Sequence, residues 1–301
     1  MPSSVDGGTR TEEGPMHERR IGDVWVSGIG LGEMPLSIEG RPDRRQAMRT
    51  VHASLDAGVT LIDTADAYCL DPSEHGHGER LVAEALATWG GDDDNVLVAT
   101  KGGHLRPGDG SWVVDGRPEY LKAACDASLA ALGVEAIGLY QFHRPDPRVP
   151  YAESVGALAD LLDEGKIRMA GISNATVAQI DEAARVLDGR LVSVQNEFSP
   201  AFRSSEPELD HCRSIGVAFL PWSPLGGIGN ATTLAEKHPA FGEVARSYEV
   251  TPQQICLAWM LAKGEQVLPI PGSSRPETAV ASAAAGDIVL SDDDVARLDA
   301  S

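Results

Sequence analysis

The feature of this sequence that most constrains its fold is a repeated alternation of short apolar runs with longer amphipathic stretches. From Val24 onward, runs of strand length are followed by stretches in which apolar residues recur about every 3.6 positions, the spacing of a helix face. The predicted strands are residues 27–31, 60–62, 96–100, 137–142, 167–171, 191–194, 217–220 and 267–270. Such alternation predicts an α/β fold with a parallel sheet.

The helical stretches between these runs carry ordinary start and stop signals. Several begin with a capping residue or proline, and several end at glycine. The predicted helices are residues 43–57, 78–89, 118–132, 151–164, 176–187, 206–214, 241–248, 252–263, 276–284 and 291–300. Eight strands with helices between them, in one run without a linker, match a single (β/α)8 TIM barrel better than two doubly wound domains. We expect this barrel to span residues 18–301, after a flexible N-terminal tail over residues 1–17 that is too polar to bury.

The main alternative fold, a dinucleotide-binding Rossmann domain, requires a glycine pattern that this chain lacks. After Gly28 and Gly30, the third glycine of that pattern falls at position 33, where the chain has Glu33. The segment then runs into Pro35 instead of a helix. A phosphate-binding P-loop motif is also missing from the sequence, which argues against nucleotide triphosphate hydrolysis.

Charge and cysteine content narrow the classes of partner. Twenty-five basic and 45 acidic residues give a net charge of −20, which disfavours nucleic acid and anionic membranes. The four cysteines are far apart in sequence and form no CxxC pair, so we expect neither disulfides nor a zinc ribbon. With no apolar segment long enough for a signal peptide or a membrane span, the sequence predicts a soluble cytoplasmic protein.

Titratable side chains follow three consecutive predicted strands. Asp63 and Tyr68 lie in LIDTADAYC, Lys101 lies in VLVATKGG, and His143 lies in GLYQFHRPD. The carboxyl ends of barrel strands open onto the active site, so we expect these four side chains to meet there. A lysine ammonium stabilises a phenolate, and we therefore expect Lys101 to lower the pKa of Tyr68.

These four residue types suit acid catalysis at a carbonyl group. Asp63 would pair with Lys101 and hold the cation in place, and His143 would hydrogen-bond the substrate oxygen. Such a site protonates a carbonyl oxygen while hydride arrives at the carbon, without a metal or a covalent intermediate.

The motifs LIDTADAY, TKGG, QFHRPD, GKIRMAGISN and VQNEFS resemble those of the aldo-keto reductase superfamily, whose members are NADPH-dependent barrel enzymes. The resemblance runs from about Ile21 to the C-terminus and involves several separate motifs in the same order. It implies that Tyr68 is the general acid, that Lys101 and Asp63 tune it, and that His143 orients the substrate. It also implies NADP(H) as the cofactor and a small carbonyl or alcohol compound as the substrate.

The resemblance extends to residues that contact the cofactor. Ser173, Asn174 and Gln195 are similar to the residues that hydrogen-bond the nicotinamide carboxamide. Trp222 stands where the family has an aromatic ring that stacks on the nicotinamide. The resemblance further implies that the pyrophosphate is lined by Ser223 and Leu225.

A Gly/Ser turn after the eighth predicted strand leads into a helix that begins at Pro276, an arrangement that favours anion binding. The resemblance places the adenosine 2′-phosphate near this turn, which contains Gly272, Ser273, Ser274 and Arg275. The sequence departs from the family pattern further along, where a frequent arginine and a Glu-Asn pair are replaced by Thr278, Ala281 and Ser282.

Two further side chains, Glu33 and Trp112, are candidates for substrate contact from the first and third loops. We expect no metal: His75 and His77 stand in a glycine-flanked loop, and a metal there would compete with the Tyr–Lys pair. Three other functions stay open at this point. They are reduction of a nucleotide-sugar enone, oxidation of a vitamin-like alcohol, and a nicotinamide-binding regulatory subunit without turnover. The sequence does not indicate the oligomeric state.

Overall fold

The computed structural model describes residues 17–301. The tail predicted over residues 1–17 therefore lies, except for its last residue, outside the described residues. The strands are β1 (Glu18–Ile21), β2 (Val24–Ser27), β3 (Leu31–Gly32), β4 (Leu61–Asp63), β5 (Leu97–Gly102), β6 (His104–Leu105), β7 (Val113–Val114), β8 (Ile137–Phe142), β9 (Ile167–Ser173), β10 (Leu191–Gln195) and β11 (Ala218–Phe219). The helices are α1 (Arg44–Asp56), α2 (His77–Trp89), α3 (Pro118–Leu132), α4 (Tyr151–Asp163), α5 (Val177–Val186), α6 (Glu206–Ile215), α7 (Leu234–Lys237), α8 (Pro239–Tyr248), α9 (Pro252–Leu261), α10 (Pro276–Ala283) and α11 (Asp292–Asp299).

The central sheet is parallel and curls into a barrel. Its seven strands lie in the order β11, β10, β9, β8, β5, β4, β3, and helices separate most of them along the chain. An eighth segment, residues 267–272, joins the two edges through the parallel bridges Phe219–Val267 and Gly32–Gly272. The predicted (β/α)8 barrel is thereby confirmed.

The closing segment pairs too sparsely to count as a strand, although the sequence predicts one over residues 267–270. The backbone N–H groups of Leu268 and Ile270 donate to the β11 side. On the β3 side, the carbonyls of Pro269 and Pro271 accept from glycine N–H groups, but neither proline has an N–H to return. Between this segment and β3, half of the backbone hydrogen bonds that parallel strands usually form are therefore missing.

The first predicted strand, residues 27–31, is wrong in detail. Residues 18–27 form the antiparallel hairpin β1–β2, and β3 begins only at Leu31. The hairpin side chains Ile21 and Val26 are fully buried with the strand residues that fill the barrel interior, including Leu61 and Leu139. The hairpin therefore closes the amino end of the barrel, and burial of these apolar side chains stabilises it there.

The predicted helices agree with the observed ones to within two residues at each end. Helices α5 and α9 begin with capping boxes at Thr176 and Thr251, and Gly133 and Gly216 end α3 and α6 in the left-handed conformation. The short hairpin of β6 and β7 and the one-turn helix α7 were not predicted.

Within residues 17–301, no helix combines the length and the apolar character that crossing a bilayer requires.

Closure of the barrel depends on the small size of Gly32, and this can be tested. A Cβ atom at this position would lie 2.8 Å from the carbonyl oxygen of Ile270 and 3.3 Å from the nitrogen of Gly272. We expect Gly32→Val to lower the free energy of unfolding by about 1–3 kcal/mol, because the backbone of the closing segment would have to move away. Urea unfolding followed by circular dichroism measures the change.

Gly156→Ala is the matched control. Apart from its own helix, α4, no described atom lies within 4 Å of a Cβ atom at Gly156. Alanine in a helix interior should raise the stability by about 0.5–1 kcal/mol. Equal behaviour of the two variants would show that Gly32 does not limit barrel closure.

Candidate active site

The four titratable residues predicted from the sequence meet at the carboxyl end of the barrel. Asp63 is the last residue of β4, Lys101 is in β5, and His143 directly follows β8. Parallel pairing brings them to one edge, since Asp63 aligns with Ala99 and Lys101 aligns with Gln141. Tyr68 reaches them from the turn after β4, and all four side chains are buried.

The ammonium group of Lys101 is the centre of the site. It donates to Asp63 Oδ2 at 2.6 Å, to the carbonyl oxygen of Thr64 at 2.9 Å and to the Tyr68 hydroxyl at 3.2 Å. Burial alone would lower the pKa of Lys101, but Asp63 and Tyr68 outweigh it and raise the pKa. Lys101 is therefore a fully buried cation at neutral pH.

The second oxygen of Asp63 is bonded to two amides. Gln195 donates to Oδ1 at 2.8 Å, and Gln141 donates to the same oxygen at 3.3 Å. Sequence reasoning missed Gln141 because it lies inside the apolar run of β8. It lies two positions before His143, so both point to the same face of the strand, and that spacing could have revealed it.

The expected depression of the Tyr68 pKa is not what the structure gives. Burial raises the pKa of Tyr68 to about 12, and the favourable charge of Lys101 offsets only part of that increase. Asp63 opposes Lys101, because a nearby carboxylate disfavours a phenolate. Tyr68 is thus a protonated phenol over the whole neutral range. Because Lys101 lowers the pKa of Tyr68, the phenol is a stronger acid than it would be if only burial acted on it.

Two neighbouring imidazoles, tilted by 35° relative to each other, lie beside Tyr68. The ring of His143 lies 5.8 Å from the Tyr68 ring and 4.1 Å from the ring of His104. Burial lowers the pKa of His104 to about 4 and holds the pKa of His143 well below its usual value. Both rings are therefore neutral at pH 7. Sequence reasoning missed His104, although it stands only three residues after Lys101.

Trp112, a candidate for substrate contact, lies beside Tyr68 and His104. Its ring meets the Tyr68 ring edge-on at 6.3 Å and lies 5.4 Å from the His104 ring. The guanidinium of Arg106 stacks on the indole at 4.3 Å and forms an ion pair with Glu39. Trp112 is 39% exposed, so part of its surface can be reached from solvent.

Glu33, the other candidate for substrate contact, lies below the mouth of the site and is fully buried. Ser37 donates to its Oε1, and Thr64 donates to its Oε2 at 3.0 Å. Burial raises the pKa of Glu33 to about 8 despite these hydrogen bonds. Both of its oxygens are thus occupied within the protein, and its carboxyl group is not part of the accessible wall.

Ser173, Asn174 and Gln195 form one hydrogen-bonded group at the ends of β9 and β10. The Ser173 hydroxyl donates to the carbonyl oxygen of Gln195 at 2.7 Å. The Asn174 amide donates to Ser173 Oγ at 2.9 Å and to the carbonyl oxygen of His143 at 3.0 Å. Asn174 has a φ of 58°, which asparagine tolerates better than most residues. The group is therefore fixed next to His143.

Trp222 and the turn that follows it lie after β11. Within the described part of the chain, the buried Nε1 of Trp222 has no hydrogen-bond partner. Ser223 and Gly226 have φ values of 51° and 84°, so the chain turns sharply here, and Leu225 packs partly against the core. The indole N–H beside this tight turn is therefore free to donate to a bound molecule.

The segment from Gly272 to Arg275 ends at the amino terminus of α10. The Ser273 hydroxyl is turned toward the helix, where it contacts the Thr278 hydroxyl and donates to the carbonyl oxygen of Arg275. The carbonyl oxygen of Ser274 accepts from Gln46 of α1 at 2.8 Å. The Arg275 side chain is exposed and lines a cleft of about 560 Å³ between α1 and α10.

His75 and His77 point to different partners. His75 lies 3.5 Å from Asp66, and His77 lies 2.8 Å from Ser37. Among the described residues, no group of three or more His, Cys, Asp or Glu side chains is arranged to hold a metal ion.

Comparison with known proteins agrees with this geometry. The family model for aldo/keto reductases matches residues 28–301. The 6-dehydroglucose reductase of Novosphingobium aromaticivorans is 36% identical over 261 residues, which cover 84% of this chain and 84% of that protein. The structure of a glycerol dehydrogenase from Gluconobacter oxydans matches with a TM-score of 0.80 at 26% identity, over 94% of each chain. An aldo/keto reductase from Klebsiella pneumoniae, solved with NADP and acetate, matches with a TM-score of 0.77 at 29% identity, also over 94% of each chain. The chain belongs to the aldo/keto reductase family.

The buried ion pair predicts a large effect of Lys101→Met on stability. Methionine fills a similar volume but leaves Asp63 as a buried carboxylate without its cation. We expect the free energy of unfolding to fall by about 3–5 kcal/mol at pH 7, since an unpaired buried charge is costly. The double variant Lys101→Met with Asp63→Asn should recover part of this loss. Urea unfolding of the three proteins tests this, and a double variant as unstable as the single one would contradict it.

Proposed function

We propose that this chain is an NADPH-dependent oxidoreductase that interconverts an aldehyde or ketone and the corresponding alcohol. The observation that carries the proposal is the buried Lys101 ammonium, which contacts both the Asp63 carboxylate and the Tyr68 hydroxyl. This arrangement provides a phenolic acid whose conjugate base has a cation beside it. Membership of the aldo/keto reductase family supports the same reaction class.

The residues present fit a nicotinamide cofactor. Trp222 offers a partly exposed aromatic face and an unpartnered indole N–H, and the Ser173 and Asn174 side chains offer polar partners for a carboxamide. We propose these residues for the nicotinamide end, with Gln195 beside them. The similar enzyme from Klebsiella pneumoniae was solved with NADP, which supports NADP(H) as the cofactor here.

The phosphate end has fewer candidate residues. Arg275 makes no ion pair or side-chain hydrogen bond with any described residue, so its guanidinium is available for an anion. It stands at the first turn of α10, where the helix dipole favours negative charge. We propose that Arg275 binds the 2′-phosphate, that Gly272, Ser273 and Ser274 shape the turn, and that Ser223 and Leu225 line the pyrophosphate.

The side chains around Tyr68 prepare a carbonyl group for reduction, and the bound cofactor supplies the hydride. His143 is neutral and can donate a hydrogen bond to the carbonyl oxygen without carrying a charge. The Tyr68 hydroxyl gives its proton to this oxygen as negative charge develops on it. The phenolate left behind is stabilised by the Lys101 ammonium, 3.2 Å away, and Asp63 keeps that ammonium in place.

The substrate wall combines the Trp112 ring with the neutral imidazoles of His104 and His143. We propose a small neutral molecule with hydroxyl groups near its carbonyl, because the rings offer hydrogen bonds as well as an apolar face. Two of the similar proteins are a 6-dehydroglucose reductase and a glycerol dehydrogenase, which supports testing hydroxylated carbonyl compounds first.

We also propose that residues 18–301 act as a single domain in a reducing compartment such as the cytoplasm. The continuous barrel supports the first point. All four cysteines of the chain lie in the described part as free, buried thiols, which supports the second.

Tyr68→Phe tests the proposed general acid. The variant keeps the ring but loses the proton that the carbonyl oxygen requires, so kcat for aldehyde reduction should fall by at least about 10²-fold. Binding of NADPH, followed by tryptophan fluorescence, should be nearly unchanged. Tyr248→Phe is a matched control, because the Tyr248 hydroxyl bonds Asp294 far from the site. Turnover by Tyr68→Phe at the level of this control would refute the assignment.

Arg275→Ala tests the preference for NADPH. Loss of one charged hydrogen-bond donor should weaken NADPH binding by about ten- to a hundredfold and leave NADH binding almost unchanged. Arg246→Ala, at an exposed position of α8, controls for the general loss of positive charge. Titration of both cofactors into the three proteins measures the effect. Equal losses of affinity for NADPH and NADH would mean that Arg275 does not bind the 2′-phosphate.

A further inference from the structure

The proposed reaction gives no role to three buried carboxyl groups near Lys101, those of Glu33, Asp66 and Glu79, and Glu33 is the one with a hydrogen-bonded connection toward solvent. Glu33 is fully buried, and both of its oxygens are hydrogen-bonded. The fold makes specific room for it, since a Cβ atom at Gly78 would lie 2.5 Å from Glu33 Oε2 and 2.7 Å from Thr64 Oγ1. A carboxyl group placed in the interior at this cost calls for an explanation in terms of its neighbours.

On one side, Glu33 is connected to the catalytic lysine. Thr64 donates its hydroxyl to Glu33 Oε2 at 3.0 Å, and its carbonyl oxygen accepts from Lys101 at 2.9 Å. Lys101 and Asp63 both interact electrostatically with Glu33, and negative charge on Glu33 raises the pKa of Tyr68. The charge of Glu33 is therefore felt at the phenol although the two groups have no direct hydrogen bond.

On the other side, Glu33 is connected toward solvent. Ser37 lies one turn further along the chain and donates to Glu33 Oε1, and the same hydroxyl lies 2.8 Å from Nδ1 of His77. His77 is the first residue of α2, and its ring is partly exposed. Carboxyl, hydroxyl and imidazole thus form a continuous hydrogen-bonded chain from the interior to the protein surface.

This chain can carry a proton because each member can both give and accept one. A water molecule protonates Nε2 of His77 and leaves as hydroxide, and the Nδ1 proton passes to Ser37 Oγ as the Ser37 hydroxyl proton passes to Glu33 Oε1. The result is a neutral imidazole, an intact hydroxyl and a neutral carboxylic acid, with one proton moved inward. The reverse sequence returns the proton to solvent and leaves a carboxylate.

We propose that Glu33 is a positioning residue for the Lys101–Tyr68 pair, and that it exchanges its proton with solvent through Ser37 and His77. When Glu33 is a neutral acid, the positive charge of Lys101 acts mainly on Tyr68 and Asp63. When Glu33 is a carboxylate, its negative charge offsets part of the effect of Lys101 and makes Tyr68 a weaker acid. Glu33 thus sets the pH above which reduction slows. The kinetic part of this proposal rests on the proposed carbonyl reduction.

The titratable groups around this chain fix the direction of the pH effect. Asp63 and Lys101 face Glu33, and burial raises the pKa of Glu33 to about 8. At the other end, His77 faces Arg41, Glu74 and Arg80, and burial lowers its pKa. At pH 7 Glu33 is therefore neutral. As the pH rises through about 8, Glu33 ionises, its negative charge contributes to the raised pKa of Tyr68, and proton donation slows.

Glu33→Gln tests the effect on the reaction. Glutamine keeps the shape and the hydrogen-bonding capacity but does not ionise. With 4-nitrobenzaldehyde and NADPH as probes, kcat/KM of the wild type should decline above pH 8, whereas the variant should keep its rate. At pH 9 the variant should be about three- to tenfold faster, corresponding to half to one unit in the pKa of Tyr68. Superimposable profiles of the two proteins would overturn the proposal.

Glu79→Gln is the matched control for burial. Glu79 is also a fully buried carboxyl group with a raised pKa, but it bonds Thr100 and has no connection to Ser37 or His77. Its replacement should leave the shape of the pH profile unchanged. If Glu79→Gln shifts the profile as much as Glu33→Gln, the effect is a general one of buried charge, and the role of Glu33 is refuted.

Infrared spectroscopy of the purified protein, without substrate or cofactor, gives a readout that does not depend on turnover. The difference between wild type and Glu33→Gln at pH 7 should contain the C=O stretch of a neutral carboxylic acid, and this band should vanish by pH 10. In Ser37→Ala the band should remain, but its shift after transfer to D₂O should slow by at least about tenfold, because the chain is broken. Absence of the band at pH 7, or equally fast exchange in Ser37→Ala, contradicts the proposal. If no variant reduces a carbonyl, the proposed function fails while these spectra still decide the role of Glu33.

Discussion

The buried ion pair between Lys101 and Asp63 determines how the rest of the barrel mouth is built. Two charges removed from water are stable only if their remaining hydrogen-bonding capacity is filled, and here Gln141, Gln195, the Thr64 carbonyl and the Tyr68 hydroxyl fill it. These partners come from β8, from β10 and from the loop after β4. The pair therefore connects the carboxyl ends of four strands, β4, β5, β8 and β10. Among its hydrogen-bond partners, Tyr68 alone has an acidic proton that it can donate to a substrate. Burial raises the pKa values of the nearby carboxyl groups of Glu33, Asp66 and Glu79, which weakens their competition with Asp63 for the cation.

The fold could be predicted from the sequence wherever local signals agree with the alternation of strands and helices. Helix ends are set by capping residues and glycines, which act over a few positions, and the ten predicted helices are all present. The prediction was wrong in detail for the first and the eighth strands. The first strand was predicted over residues 27–31, but residues 24–27 pair with residues 18–21 and β3 begins only at Leu31. At the other end, Pro269 and Pro271 remove half of the ladder that the apolar run at 267–270 suggests. Both differences depend on which partner a strand finds, and apolar patterning carries no information about that.

The candidate site was predictable where a polar residue directly follows a strand, as Asp63, Lys101 and His143 do. Gln141 was missed because it lies inside the apolar run of β8, and His104 was missed because it lies in β6, a short strand that was not predicted. The sequence also could not give the balance of charge and burial. Lys101 next to Tyr68 suggested a lowered pKa, whereas complete enclosure of the phenol raises it. Likewise Glu33 was expected at the pocket wall, and the turn over residues 33–37 directs it inward instead.

The prolines of the closing segment have a further consequence for the dynamics of the molecule. Local opening of a folded protein begins where backbone hydrogen bonds are few, and the seam between β3 and residues 269–271 lacks the bonds that the two prolines cannot donate. Amide hydrogen exchange should therefore be fastest along this seam and slow in β8 and β9. The loops on either side of the seam carry Glu33 and the turn that ends at Arg275. A molecule bound across both loops would hold the seam shut, so occupancy of the site and integrity of the barrel are coupled through mass action.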